Sequence, residues 1–230
     1  MLPLQEFGKG APEMKVKWLG HACFLLTSDS GLRIMTDPYT AGVFGLNYEP
    51  PSETADVVTV SHEHGDHNNV AAVKGNPQVV RGVGSQEAKA IRFRGVASAH
   101  DRSSGKERGS NTIFCFALDG INVCHLGDLG HELSDQGVAD IGDVDVLLIP
   151  VGGNFTIDAA VADRVCQKLA PKVVIPMHFK NDRCPGFPVA GVDEFMGRRQ
   201  LVRAIPGSEV ELKKEELSAT TETIVLRPAL

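Results

Sequence analysis

One stretch of the sequence decides the fold: Ser61-His62-Glu63-His64-Gly65-Asp66-His67-Asn68. It directly follows a short apolar run, Val57–Val60, which is typical of a buried strand. The polar cluster therefore begins where a strand ends and a loop starts. Because alternate residues of an extended chain point the same way, we expect His62 and His64 to face one point in space.

The second half of this stretch can face a different point. Gly65 allows a sharp turn of the backbone, and Asp66 and His67 lie beyond that turn. Neutral imidazole nitrogens and a carboxylate oxygen suit zinc, iron or manganese. A solvated polar loop is the alternative, but a His-x-His-x-Asp-His pattern after an apolar strand favours a metal site.

The composition is that of an ordinary globular protein of 230 residues. One domain over residues 1–230 is expected, with residues 1–13 as a loose lead-in. The formal net charge is −6, which argues against a nucleic-acid partner because such partners usually require a basic face.

Cysteine usage and apolar runs predict the compartment. The five cysteines are odd in number, scattered in spacing and form no Cys-x-x-Cys pair, which indicates a reduced cytoplasmic protein. The start of the chain has no apolar signal core, and the longest apolar run, residues 144–151, is too short to span a bilayer. We expect a small-molecule substrate, and a homo-oligomer is compatible with the sequence.

Strand and helix patterns alternate along the chain. A hairpin is predicted over residues 111–126, because the pair Asp119-Gly120 favours the tight primed turns of hairpins. Residues 158–169 predict a helix with apolar side chains four apart on one face, and residues 192–204 predict another. The apolar loop 39–52 either packs onto the core or lines a binding site.

Ligand-type residues follow the carboxyl ends of five apolar runs: His62, His100, Asp128, His178 and Asp37. In layered α/β folds, ligand sites commonly lie outside the carboxyl ends of strands. If these strands lie side by side, five histidines and two aspartates meet along one rim. That number is too large for one tetrahedral ion and suits two ions that share a ligand.

Each later residue also has an ordinary alternative. His100 could pair with Asp101, Asp128 could cap a helix, and His178 could be a satisfied histidine at a strand end. Their joint occurrence behind the His-rich stretch favours ligation. Five basic loop residues near the rim could meet an anionic group or could simply be solvated: Arg102, Lys106, Arg108, Lys180 and Arg183.

The remaining polar residues are interpreted as supports. By strand alternation His125 lies on the face opposite Asp128, which indicates a structural histidine. Asp37 is interpreted as holding a ligand imidazole or a backbone group in place. His21, in a tight link between two predicted strands, could do the same, and the role of His131 is left open.

The ligand motif resembles that of the metallo-β-lactamase-fold hydrolases. The family motif His-x-His-x-Asp-His matches residues 62–67, and the later lone His, Gly-Asp and terminal His match His100, Asp128 and His178. The resemblance covers roughly residues 14–205.

Two further motifs look like one branch of that family. They are Trp18-Leu19-Gly20-His21-Ala22 and Thr36-Asp37-Pro38. The branch contains ascorbate-6-phosphate lactonase and N-acylphosphatidylethanolamine phospholipase D.

The resemblance implies an α/β fold, a four-layer αββα sandwich, with two divalent ions in a cleft at one edge of the sheets. Zinc is the expected metal, with manganese or iron as alternatives, and no organic cofactor is expected. By this resemblance the first ion is held by His62, His64 and His100, the second by Asp66, His67 and His178, and Asp128 bridges the two.

The implied reaction is hydrolysis of an ester, lactone or phosphodiester of a small anionic substrate. Two ions would lower the pKa of a shared water and give a hydroxide nucleophile, and would then stabilise the developing oxyanion. Asp66 could also take or relay a proton, so Asp66 and Asp128 are the expected catalytic residues.

Two other functions fit the same residues. A binding or regulatory protein of this fold could keep the metal site without turnover, which the complete ligand set disfavours. A diiron oxidoreductase is disfavoured because such relatives typically carry Glu where this chain has His64, and because 230 residues leave no room for a flavodoxin domain.

Overall fold

A computed structural model describes residues 11–229 of the chain. Within that range the chain forms fourteen strands in two sheets, together with three α-helices. Residues 1–10 of the predicted lead-in lie outside the described residues, and the first strand begins at Glu13.

The strands are joined by connections of very different length, such as the two residues after the first strand and the irregular stretch 37–56 after the third. In chain order they are β1 (Glu13–Gly20), β2 (Cys23–Thr27), β3 (Arg33–Thr36), β4 (Val57–Val60), β5 (Gln78–Arg81), β6 (Gly84–Ala88), β7 (Ile91–Ala99), β8 (Ser110–Leu118), β9 (Ile121–His125), β10 (Val146–Pro150), β11 (Val173–Met177), β12 (Val202–Ala204), β13 (Glu209–Lys213) and β14 (Glu222–Val225). The helices are α1 (Asp135–Ile141), α2 (Ala159–Leu169) and α3 (Asp193–Met196).

The strand order brings several carboxyl ends together. One sheet has the order β13-β1-β2-β3-β4-β5 and the other β12-β14-β11-β10-β9-β8-β7-β6. In the second sheet β9, β10 and β11 are parallel, and β7 has the same direction as β9 because both are antiparallel to β8. The residues that follow β7, β9 and β11 therefore emerge at one edge, called here the site edge.

The main core lies between the two sheets. Alternate residues of the first strands, including Val16, Trp18 and Phe24, are buried there beside Phe114 of the facing sheet. The predicted α/β class with two facing sheets is confirmed.

Helix α2 connects the parallel strands β10 and β11. It buries Val161, Val165 and Leu169 in the core, and the carboxylate of Asp158 caps its start by accepting the Val161 N–H at 2.9 Å. The predicted helix at 158–169 is thus confirmed. Within residues 11–229, no helix combines the length and apolarity that crossing a bilayer requires.

The outer face of the six-stranded sheet is covered by irregular chain. Tyr39, Leu46 and Tyr48 of the 39–52 loop are buried there in a second apolar cluster. Gly20 permits this close packing, because a β-carbon at that position would lie 2.7 Å from the Tyr48 ring. The outermost layer on this side of the sandwich is therefore a packed loop.

Two local predictions have different outcomes. The hairpin at residues 111–126 is confirmed, and Asp119 and Gly120 both have positive φ, as a primed turn requires. The helix predicted for residues 192–204 is wrong for most of its length. Helix α3 ends at Met196, and β12 instead pairs with β14 at the sheet edge, where β14 would otherwise present unpaired backbone groups.

Candidate metal centre

Two groups of histidine and aspartate side chains meet at the site edge. In each group the nitrogen or carboxylate atoms that could hold an ion lie within 4.8 Å of one another. The first donor group is His62, His64 and His100, and the second donor group is His21, Asp66, His67 and His178. Six of the seven predicted ligands fall into these groups with the division that the resemblance implied.

Asp128, the seventh predicted ligand, lies between the two donor groups. Its Oδ2 is 3.1 Å from Nε2 of His100 and 3.2 Å from Nε2 of His67. The same oxygen is 3.4 Å from Nε2 of His178 and 4.0 Å from Nε2 of His62. One carboxylate therefore approaches members of both groups.

Each donor group draws on both sheets. In the first group, residues that follow β4 meet His100, which follows β7 of the other sheet. In the second group, residues that follow β4 meet His178, which follows β11. Because each group combines residues from both sheets, the groups exist only where the two sheets meet. Asp128, which follows β9 of the second sheet, lies at the same place.

Asp37 fixes the ring of His67. Its Oδ2 accepts a hydrogen bond from His67 Nδ1 at 2.9 Å and one from Ser61 Oγ at 2.5 Å, and its Oδ1 accepts the Ser61 N–H at 2.7 Å. An atom of Asp37 also lies within 4.8 Å of those of His62 and His67, but both of its oxygens are already bonded. Asp37 therefore positions His67 so that Nε2 faces Asp128, the kind of support that the sequence predicts.

Burial and neighbouring charges set the protonation states. Burial lowers the pKa of His62 to about 3 and that of His21 to about 4, so both rings are neutral at pH 7, the form that can bind a metal. Burial alone would raise the pKa of Asp128, but the charges of His178 and His67 hold it well below its usual range.

Buried polar atoms without a partner indicate a ligand at this place. Among the described residues, Nε2 of His62, Nε2 of His67, Oδ1 of Asp66 and Oδ1 of Asp128 have no hydrogen-bond partner. The 3.2 Å approach of His67 Nε2 to Asp128 has the distance but not the angle of a hydrogen bond. Two ligands of one zinc ion lie about 3.0 to 3.4 Å apart, so the contacts of Asp128 fit a shared ion.

Asn111 holds the backbone beside Asp128. Its Oδ1 accepts the Asp128 N–H at 3.0 Å, and its Nδ2 donates to the Leu126 carbonyl at 2.9 Å. A β-carbon on Gly127 would lie 2.6 Å from Cβ of Ser61, which explains the order Gly-Asp. Asn111 could not be singled out from the sequence, because it stands between a serine and a threonine at the polar start of β8.

His21 lies inside the second donor group. Its Nε2 is 3.2 Å from Oδ2 of Asp66, and its ring centroid is 4.2 Å from that of His178 and 4.9 Å from that of His67. It occupies the link between β1 and β2 with a φ of +51°. The structure thus gives His21 a direct contact with a predicted ligand.

The two remaining histidines lie outside both donor groups. Nε2 of His125 donates to the Ala22 carbonyl at 2.9 Å in the core, in keeping with the structural role predicted for it. Nε2 of His131 accepts the Ala99 N–H at 3.2 Å, and its Nδ1 donates to the Glu132 carbonyl at 2.9 Å. Backbone groups therefore satisfy both nitrogens of His131.

A pocket of about 390 Å³ opens over the donor groups. This volume is within the range of small-molecule sites. Phe44 of the 39–52 loop lines the pocket and is 66 % exposed, so that loop both packs on the core and lines a candidate site. The other lining residues include His64, Asp66, His100, Asp128 and His178 on the donor side, with Arg108, Phe155 and Phe187 beside them.

Comparison with known sequences identifies the family. Residues 15–178 match the family described as beta-lactamase superfamily domain. A UPF0173 metal-dependent hydrolase of Carboxydothermus hydrogenoformans is 32 % identical over 232 residues, which covers 86 % of this chain and 100 % of the relative.

Solved structures share the same fold. A proposed Zn-dependent hydrolase of the metallo-β-lactamase superfamily from Thermotoga maritima matches with a TM-score of 0.77 and 38 % identity, covering 93 % of this chain and 98 % of that one. Igni18, a metallo hydrolase of Ignicoccus hospitalis, has a TM-score of 0.63 at 24 % identity over 87 % of this chain and 99 % of its own, a likeness of fold alone. With these sequence matches, the chain belongs to the metallo-β-lactamase superfamily and, within it, to the UPF0173 metal-dependent hydrolases.

Proposed function

We propose that the protein is a dinuclear metal-dependent hydrolase. Its substrate would be an ester, lactone or phosphodiester of a small anionic molecule. The observation that carries this proposal is the approach of one Asp128 oxygen to His100 of the first donor group and to His67 of the second. In this assignment the first donor group holds one divalent ion, Asp66, His67 and His178 hold the other, and Asp128 is shared.

The donor chemistry supports a zinc-type ion. Imidazoles and carboxylates without a thiolate are typical of catalytic zinc sites, and manganese and iron accept the same donors. When bound, divalent ions at such a site lower the pKa of water and polarise the carbonyl or phosphoryl group of a substrate.

The carboxylate of Asp66 is the group proposed to take or relay a proton. Burial opposes its ionisation, but the charge of His67 and the hydrogen bond from His21 keep the pKa of Asp66 well below its usual range. Nε2 of His21 donates to Oδ2 of Asp66 at 3.2 Å. Oδ1 is left without a protein partner in a residue that lines the pocket, so it is the oxygen that would hold the second ion. The ionised carboxylate would relay a proton from water there only as a weak base, because its pKa is low.

Metal analysis combined with turnover tests the proposal. The protein is stripped with a chelator, reloaded with Zn²⁺ or Mn²⁺ and passed through gel filtration before elemental analysis. We expect about two ions per chain, and hydrolysis of a model ester, lactone or diester that the chelator abolishes and metal restores. Chelator-resistant turnover would overturn the mechanism, and bound metal without turnover on any model bond would favour a regulatory protein.

We also propose a cytoplasmic location. All five cysteines are free, and the sulfurs of Cys115 and Cys124 lie 3.8 Å apart without a bond, as expected in a reducing compartment. Cell fractionation with an antibody to the protein tests this location. The likeness to the lactonase branch stays a prediction.

A further inference from the structure

The pocket above the donor groups contains a cation that has no ionic partner in the part of the chain that the structure describes. Of the five basic loop residues singled out in the sequence, Arg108 lines this pocket. Arg102 instead lies 3.5 Å from Asp158, and 72 % of its side chain is exposed. Across residues 11–229, no carboxylate lies within ion-pair distance of the Arg108 guanidinium, whose contact is with the ring of Phe155.

A buried carboxylate shapes the loop that presents Arg108. Asp101 is 4 % exposed and accepts four backbone N–H groups at 2.7 to 3.0 Å, those of Ser103, Gly105, Glu107 and Arg108. One of these bonds, at 2.8 Å, comes from the backbone of Arg108 itself. Because hydrogen bonds to a carboxylate are strong, the loop fixes the backbone of Arg108 at the rim of the pocket, and the ring of Phe155 is the contact of its guanidinium.

An aromatic wall connects Arg108 with the second donor group. The guanidinium carbon of Arg108 lies 5.4 Å from the centroid of Phe155. The rings of Phe155 and Phe187 are stacked with centroids 5.5 Å apart, and Phe187 lies 5.4 Å from the ring of His178. A guanidinium that stacks on a ring keeps its N–H groups available to an anion.

The rest of the lining adds apolar surface. Phe44 contributes an exposed ring, whereas Phe155 is half-buried and Phe187 is only 2 % exposed. The φ of Phe44, +51°, is uncommon for a bulky residue. Glu63 also lines the pocket, but its carboxylate already pairs with Arg81 and accepts a hydrogen bond from Asn68 at 3.1 Å. The walls therefore offer the Arg108 cation and the rings of Phe44 and Phe155, with Phe187 packed behind Phe155.

We propose that the substrate is an amphiphilic anion. Its carboxylate or phosphate binds Arg108, an apolar segment lies on the accessible rings of Phe155 and Phe44, and the hydrolysed bond lies at the donor groups. The position of that bond rests on the proposed function. A guanidinium binds both kinds of anion through paired N–H donors, whereas a polyhydroxylated segment would leave hydroxyls unpaired against the rings.

Binding of two matched probes tests the proposal without turnover. Calorimetric titration of zinc-loaded protein compares 4-phenylbutyrate with its uncharged analogue 4-phenylbutanamide. We expect the wild type to bind the anion about tenfold more tightly than the amide. Arg108→Gln should lose this preference, and Arg102→Gln, a matched change at an exposed and already paired arginine, should keep it.

A change in the wall provides a second test. Phe155→Leu should weaken the binding of both probes several-fold, because each loses its contact with the ring. Thermal unfolding shows whether each variant is folded. If Arg108→Gln does not fold, Arg108→Lys replaces it and should show an intermediate preference, since it keeps the charge but loses the paired donors.

Several outcomes would overturn the anion site. One is an Arg108 variant that keeps the tenfold preference, which would mean that the carboxylate binds at the donor groups. A second is a wild type that binds both probes equally. A third is an Arg102→Gln variant that loses as much of the preference for the anion as Arg108→Gln does.

The hydrolase proposal fails in a different experiment. A wild type without metal-dependent turnover would overturn it, while the comparison of the two probes would still report on Arg108. Turnover together with probe binding that ignores Arg108 would overturn the anion site and leave the hydrolase proposal intact.

Discussion

The two donor groups differ in how firmly the protein holds them. All four members of the second group are buried, one is a carboxylate, and Asp37 fixes the ring of His67. The first group consists of imidazoles alone, and its His64 is exposed to the pocket. A rigid set of donors and an open set thus lie side by side, and the open set is where a substrate can approach, as catalytic metal sites require.

Lowering the pH should have the largest effect on the stability of the metal-free protein, because each donor group contains a histidine whose pKa is lowered by burial. The pKa is about 3 for His62 and about 4 for His21, against about 6.5 in an unfolded chain. Below pH 6.5 the unfolded chain binds protons that the folded chain does not, so stability falls with pH. Between pH 7 and pH 5, urea unfolding of metal-free protein should show a loss of about 2 kcal/mol for each histidine.

A variant in each group separates these contributions. His21→Gln or His62→Gln should each remove about 2 kcal/mol of the loss. His67 changes the stability of the protein with pH in the opposite direction. Burial alone would lower its pKa, but the charges of Asp128 and Asp66 raise it well above the usual range, so its contribution is lost as the pH rises above 6.5. An unfolding free energy that does not change between pH 5 and pH 7 would contradict the prediction.

Asp128→Ala removes the carboxylate that approaches both groups. We expect bound metal to fall from about two ions per chain to one or none, and turnover to fall on the order of a hundredfold or more. The carboxylate also offsets the repulsion between two nearby dications. Elemental analysis after gel filtration and initial rates on a model ester provide the measurements.

His125→Ala is the control for this change. His125 is buried on the core side of the strand that leads to Asp128, so its loss should cost stability but leave the metal content unchanged. Two ions retained in Asp128→Ala, or ions lost from His125→Ala, would show that the inward face of this strand is wrongly assigned.

His64→Glu tests the open group. We expect the protein to fold but to lose most of its activity, with a rate lower by roughly tens of times. The reason is that Glu is longer than an imidazole and charged where the imidazole was neutral. The ion of the second group should remain, since none of its donors changes. Metal content and rate are measured together, and a variant equal to the wild type in both would show that His64 does not bind the metal.

Asp37→Asn tests the rigid group with the smallest change. The amide can still accept the Nδ1–H of His67 but carries no charge, so affinity for the second ion should fall about tenfold. Competition with a chromogenic chelator measures this affinity. Asp145→Asn, at a buried carboxylate that pairs with Lys214, is the control, and an equal loss in both variants would argue against a special role for Asp37.

Local sequence was sufficient where one signal dominated. The predicted strand Val57–Val60 has the observed bounds, because four buried residues with strand preference follow one another. Strand β6 was missed, because Gly84–Ala88 is mostly polar and exposed, and it is a strand only because β7 provides its hydrogen-bond partner.

Prediction of the site was limited in the same way, because some of its residues are positioned by distant parts of the chain. The meeting of His100, Asp128 and His178 could be predicted, because the strands before them share a direction. Strand alternation and Gly65 already separated the first two histidines of the His-rich stretch from the Asp-His pair after it, whereas the assignment of the later ligands to these two pairs came from the family resemblance. The places of Arg108 and His21 could not be predicted, because they depend on a loop closed by a carboxylate and on a bulge between β1 and β2, neither of which has a short-range signal.

Each donor group is complete only when the two sheets are docked, so the supply of metal should affect how long the folded state persists. No segment of the chain can hold an ion tightly before the sheets dock, so an ion stabilises the assembled state alone. Free zinc at a hundred times its dissociation constant adds about 2.7 kcal/mol to such a state. Ions bound at this place would stabilise the docked sheets, and in a cell short of metal the chain would open and reach proteases more often.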